Sequence, residues 1–349
     1  MPLFDRYLFA DYSGAQANNA QNTAIRLWRA VGDEDPHPFG PNGAYTRETL
    51  RQQIVEELID ASENGERVVF GFDHQYGWPP LLNSLAGPGV VDQDWPTAVL
   101  NLVAGAYGGG QPGPVLIDNP QGFAADFNAH VGEGVFWTGL HQMAENWGLP
   151  NQPLQDRKTD RFRLVEITAL LTHPAGNPAA ADMLGGPTAV AGQTICGLFH
   201  IAQMLQEEAV NVAWWPFDGL EIDGEAYQDK HVAVEIYPSI FPMGGWDIVQ
   251  AAVGLPADAD HDRDAWRSTR LVQHADRPDI PARLPGITGL WEMLNLNWLG
   301  QAQGTRVRKE GWMIGVAQID WQHAHIIAGE QLDAALAALA EAAHIAHLV

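Results

Sequence analysis

Three acidic residues occur where an apolar run gives out. Asp11 closes "RYLFAD", Asp73 closes "RVVFGFD", and Glu235 stands near the end of "VAVEIYPS". An ionised carboxylate is costly to bury without a partner, so each of these acids calls for an exposed edge, a cationic side chain or a metal ion. Two more groups stand in "HDRDAW". His261 and Asp264 are three residues apart and share one helical face, from which Asp262 is turned away. Carboxylates gathered in one place repel each other unless a cation sits among them, and hard divalent ions such as Mg²⁺ or Mn²⁺ take oxygen ligands of this kind.

Each residue also has a plainer role. An Asp after a strand forms turns and caps helices, which would account for Asp11 and Asp73. Glu235 could pair with Arg161 or Arg163 of "RFRLVEI". Asp264, early in its helix, would favour the helix dipole, and His261 could be an idle N-terminal flank. What binds the five together is their order along the strands and the helix.

The elements that must position them are legible. "RYLFAD" and "TAIRLWRAV" read as two strands joined through a Gly/Asn loop. "TRETLRQQIVEELIDASENG" reads as a helix capped by Thr46, striped by Leu50, Ile54, Leu58 and Ile59, and stopped at Gly65. "RVVFGFD" is a further strand, "TICGLFHIAQMLQEEA" a helix, "NVAWWPFDG" a strand and turn, "VAVEIYPS" a strand and "HDRDAWRSTRLVQHA" a helix. Strands followed by helices predict an α/β fold, a mixed sheet flanked by helices. The acids then fall at the C-terminal strand edge, where open α/β sheets bind ligands. Residues 81–160, rich in Gly, Pro, Asn and Trp, are expected to form an insertion or lid on a single domain spanning 1–349, with an Ala-rich C-terminal helix over 329–349. The loop "YGGGQPGP" lacks the Lys-Ser/Thr of a P-loop and reads as a connection.

Composition sets limits. The 349 residues carry 43 acidic and 19 basic side chains, a net charge of −24. That balance opposes broad, non-specific nucleic-acid binding, which draws on basic side chains, but leaves room for a metal-dependent phosphate site. The single cysteine, Cys196, excludes an internal disulfide and a cysteine-based zinc cluster. The opening residues show no basic segment followed by an apolar stretch, and no run reaches the ~18 apolar residues of a membrane span. A cytoplasmic protein is expected, with no membrane partner.

The set "FADYSG", "VVFGFD", "RLVEI" with "GQTICGL", "VAVEIYPS", "HDRDAW" and "EGWMIGV", in that order from about residue 6 to about residue 317, resembles the DUF429 family. That family is a group of predicted nucleases with a ribonuclease H-like fold. The resemblance implies a family acid at Asp11 on the first strand, another at Asp73, the Glu-x-Tyr-Pro acid at Glu235 and the last-helix pair at His261 and Asp264. Tyr12 after the first acid and His74 after the second depart from the family's pattern. The implied chemistry is metal-dependent phosphodiester hydrolysis on structured or single-stranded nucleic acid or another phosphodiester. Asp11, Asp73 and Asp264 would hold Mg²⁺ or Mn²⁺, Glu235 would be a further ligand or would orient a metal-bound water, and His261 would touch phosphate or move a proton. Two other readings compete: a binding or scaffold protein that keeps the acids, and an actin-like phosphotransferase. "DYSG" fits the phosphate loop of the latter, but no clear adenosine motif or duplicated domain accompanies it.

Overall fold

The computed structural model describes residues 2–40, 44–108, 112–154, 159–172, 180–186, 189–240, 245–277 and 289–316. The expected C-terminal helix over 329–349 lies outside them. Six strands and thirteen α-helices are present among the described residues, an α/β architecture. They group into two compact units. The first is built from the chain up to Asp73, from Glu207–Leu296 and from the stretch beginning at Met313; the second from His74–Gln206 and Asn297–Trp312. Residues 81–160 fall within the second unit.

The first unit holds the whole sheet: β1 (Arg6–Asp11), β2 (Arg26–Val31), β3 (His37–Pro38), β4 (Val68–Phe72), β5 (Val212–Trp214) and β6 (His231–Glu235). Their spatial order is β3-β2-β1-β4-β6-β5. β2 runs antiparallel to β1 and to β3, while β4 is parallel to β1, and β6 to both β4 and β5. β1, β4 and β6 are buried along their full length, as expected of inner strands covered on both faces. Gly71 in β4 has a packing reason, since a Cβ there would run into the Val234 carbonyl and the Phe9 ring.

A helix covers each face of the sheet. Helix Arg47–Glu63 starts at a capping box, in which Thr46 Oγ1 accepts from the Thr49 amide at 3.2 Å and Thr49 Oγ1 accepts from the Thr46 amide at 3.0 Å. Leu50, Ile54 and Leu58 are buried. Glu57 is buried on the same helix because Arg6 and Arg29 meet it at 2.7 and 2.9 Å. Gly65, at φ +69°, ends the run. Helix Asp260–Ala275 lies on the opposite face. Trp28 on β2 packs with Ala265 and Trp266 of this helix, and Trp246 and Val249 close the cluster from the side. Gln273 donates to the carbonyls of Gly32 and Glu34, and Asp276 accepts from the Leu3 and Phe4 amides and the Tyr7 hydroxyl. The helix is thereby fastened at its C-terminal end.

The second unit is helical among its described residues. Trp78, Phe123, Phe127 and Phe136 form an aromatic cluster with ring centroids 5.5–6.3 Å apart. Arg161 pairs with Asp182 at 2.5 Å, and the fully buried Arg163 pairs with Glu166 and donates to the Glu310 carbonyl. Glu310, from the "EGW" motif, accepts from the Leu164 amide. Several elements of the first unit differ from the sequence reading: helices Trp246–Val253 and Leu290–Met293 were not read, the polar loop after Asp11 contains a helix, Asn18–Ala24, and β3 was not expected. The Asn18–Ala24 and β3 segments lack the apolar periodicity from which elements are read.

Candidate active site at the sheet edge

β1 and β4 are neighbours and parallel, with Ala10 level with Phe72. The next residue on each strand is the acid, so Asp11 and Asp73 leave the sheet side by side. The pleat alternates, which puts both on the face that carries Phe9 and Gly71. Here the ladder stops and backbone amides lose their strand partners. The Tyr12 amide finds one in Asp73, donating to its Oδ1 at 2.6 Å.

The two carboxyls hydrogen-bond each other, which requires that one of them carry the proton. Burial pushes Asp11 up to about 7, with the negative charge of Asp264 adding to the rise and Arg26, directly across the antiparallel ladder, opposing it. Burial also lifts Asp73 well above the ordinary carboxylate range, and the charge of Asp11 lifts it further. The hydrogen bond between them favours the ionised form of Asp11 and the protonated form of Asp73. The bond thus favours the proton on Asp73 over Asp11.

Helix Asp260–Ala275 supplies the other groups from its first turns. His261 turns Nδ1 onto Asp11 Oδ2 while half of its side chain stays open to solvent. Asp264, one turn on, is half-buried and close enough to raise both strand acids. Asp262 points the other way, as helical spacing predicts. It is buried against β2, accepting from Trp28 Nε1 and Arg26 Nε at 3.0 Å each. One helical turn thus presents His261 to the acids and anchors itself through Asp262.

Glu235 is placed differently. It pairs with Phe72, one position before Asp73, so the pleat directs its Cβ to the sheet face opposite Asp11 and Asp73. On that face lie His231, bonded through Nε2 to Ser62 of helix Arg47–Glu63 at 2.8 Å, and Phe72, whose ring meets Tyr12. The Glu235 carbonyl accepts from the Ile314 amide at 2.9 Å. The structure thus brings together Asp11, Asp73, His261 and Asp264, while the register turns the Glu235 Cβ to the other face of the sheet. His74 belongs to the second unit, where its ring is buried beside Gly197 and its pKa is pulled down to about 3 by that burial. Arg26 was not singled out in the sequence. Its position in "TAIRLWRAV", at the end of a strand antiparallel to the one Asp11 closes, was the available signal.

Among the described residues, no three or more His, Cys, Asp or Glu side chains stand ready-arranged to hold a metal ion. The donor chemistry of the strand acids still suits one: two hard carboxylates are held in contact by a proton, in a place where a divalent cation would take the proton's role. No helix among the described residues is long and apolar enough to cross a membrane. The chain matches no family model, no curated protein and no solved structure.

Proposed function

We propose that the protein is a metal-dependent phosphodiester hydrolase of nuclease type, built on a ribonuclease H-like sheet. The observation that carries this is the Asp11–Asp73 pair, two hydrogen-bonded carboxyls on adjacent parallel strand ends with His261 from the covering helix set against one of them. The strand order supports the fold reading: three antiparallel strands, β3-β2-β1, continue into β4 and β6 running parallel to β1. The DUF429-like motifs agree with it.

Asp11 and Asp73 would hold Mg²⁺ or Mn²⁺, with Asp264 contributing from the helix. A bound ion of this kind stabilises charge on phosphoryl oxygens and lowers the pKa of water. The chain's own groups do the rest. Asp73 would release its proton to solvent on metal binding, and the Tyr12 amide would keep its carboxylate in place. His261, half open to solvent, is the group suited to carry a proton to or from a leaving oxygen. Asp262 keeps that histidine in position by locking its helical turn to Trp28 and Arg26.

The second reading is a non-enzymatic binding protein. It is favoured by the self-contained proton sharing of Asp11 and Asp73 and by the lack of a ready three-ligand group among the described residues. Cleavage of bis(p-nitrophenyl) phosphate, and of single-stranded and structured oligonucleotides, separates the two. The hydrolase is expected to need Mn²⁺ or Mg²⁺, to stop in EDTA, and to lose about 100-fold or more in Asp11→Asn, equivalent to about 3 kcal/mol of transition-state stabilisation. Metal-independent cleavage, or equal rates in Asp11→Asn, would count against it, and no cleavage at all would favour the binding protein.

A further inference from the structure

Nearly every buried arginine of this acidic chain is closely tied. Among the described residues, each other wholly or partly buried arginine holds an acceptor at 3.0 Å or closer; Arg6, Arg26, Arg47 and Arg67 are representative. Arg267 differs. Its Nη1 lies 3.3 Å from the Pro238 carbonyl and 3.7 Å from Asp264 Oδ1, at or beyond the limit of a good hydrogen bond. Its Nε is buried and meets no acceptor among the described residues. The side chain is 22% exposed, so water does not freely replace the missing partners. Burial pulls its pKa down, the mark of a cation with too little compensation around it.

The position of Arg267 gives this a meaning. Asp264, its neighbour one turn earlier, is the same carboxylate that raises Asp11 and Asp73. Arg263 also faces Asp264, with its Nε 3.4 Å from the same Oδ1, and ties its own Nη1 to Asp260 at 2.9 Å. Two guanidiniums share one carboxylate loosely, at the border of the acidic site. A planar guanidinium fork matches two oxygens of a phosphate group, and a partly exposed fork held only by long contacts is ready to receive them.

We propose that Arg267 is a phosphate-binding residue of this site, exchanging its long contacts to Pro238 and Asp264 for a bidentate hold on two non-bridging oxygens of a phosphate ester. The inference rests on the hydrolase reading and deepens it, by naming the group that takes the substrate's negative charge in a protein whose surface otherwise repels it. Arg263, held by Asp260, assists as a second positive charge.

The test is binding of inorganic phosphate to the full-length protein in Mg²⁺-containing buffer, followed by ³¹P NMR line broadening. Wild type is expected to bind saturably, Arg267→Gln at least tenfold more weakly, and Arg270→Gln like wild type, since Arg270 pairs with the exposed Asp35. Arg267→Lys is expected to fall between them, because an ammonium keeps the charge but not the fork; it carries the test if the Gln variant does not fold. Absence of saturable binding in wild type, or affinities of both Arg267 variants within twofold of wild type, would overturn the proposal. Binding is read without turnover. Loss of the phosphate result with metal-dependent cleavage intact removes only the role of Arg267, whereas Arg267-dependent phosphate binding without cleavage of any ester removes the hydrolase and leaves an anion site.

Discussion

An acid pair held together by a shared proton makes the metal-free protein weaker as pH rises. An unfolded Asp loses its proton near 3.8, whereas native Asp11 keeps the higher value of about 7. Between those values the native state binds more protons than the unfolded state, so stability falls with increasing pH until the native group has ionised. At about 1.4 kcal/mol per pH unit the full difference is about 4 kcal/mol, of which about 3 kcal/mol lies above pH 5. Asp73, also lifted well above the ordinary carboxylate range, likewise holds its proton more tightly in the native than in the unfolded state and adds to the fall. Glu310 in the second unit is also raised to about 7, chiefly by burial, so wild type alone does not isolate the pair. The comparison is with Asp11→Asn/Asp73→Asn, which keeps the shape and removes both titrations. Urea unfolding in EDTA at pH 5 and pH 8 should show wild type losing at least about 3 kcal/mol more than the double variant, the share due to Asp11 alone. Parallel losses in the two proteins would refute the shared proton, as would a double variant no more stable than wild type at pH 8.

Asp262→Ala should cost about 3 kcal/mol whether or not metal is present, because it strands the Trp28 indole and the Arg26 guanidinium; a loss below about 1 kcal/mol in urea unfolding would show that the clamp is not needed. Glu235→Gln should leave the rise in melting temperature with Mn²⁺ unchanged, since the pleat turns Glu235 to the other face, while Asp11→Asn should abolish that rise. A Glu235→Gln protein that no longer responds to Mn²⁺ would return Glu235 to the site.

Much of this arrangement was legible in the sequence. Apolar runs ending at Asp11 and Asp73 located two strand ends, and the spacing of His261, Asp262 and Asp264 told which would face the acids and which would not. Thr46 and Gly65 marked the ends of their helix. Glu235 shows where such reading stops. One residue of register between two strands decides the face of every side chain, and register is fixed by packing between strands distant in sequence. β5 is a related case: it precedes β6 in the chain but lies outside it in the sheet, an order the chain alone does not dictate. The Asn18–Ala24 helix and the two-residue β3 are held by their surroundings, with no pattern of their own. Arg267 had no signal in sequence, because what distinguishes it is the lack of close acceptors around it.

A divalent ion is expected to take the place of the proton held between Asp11 and Asp73. Isothermal titration of Mn²⁺ into the full-length protein near pH 6, in two buffers of different ionisation enthalpy, measures the protons released on binding. Because Asp11, at about 7, is itself largely protonated near pH 6, between about one and two protons per ion are predicted, with both the binding and the proton release lost in Asp11→Asn/Asp73→Asn. Mn²⁺ binding that releases no proton, or that persists unchanged in the double variant, would contradict the account.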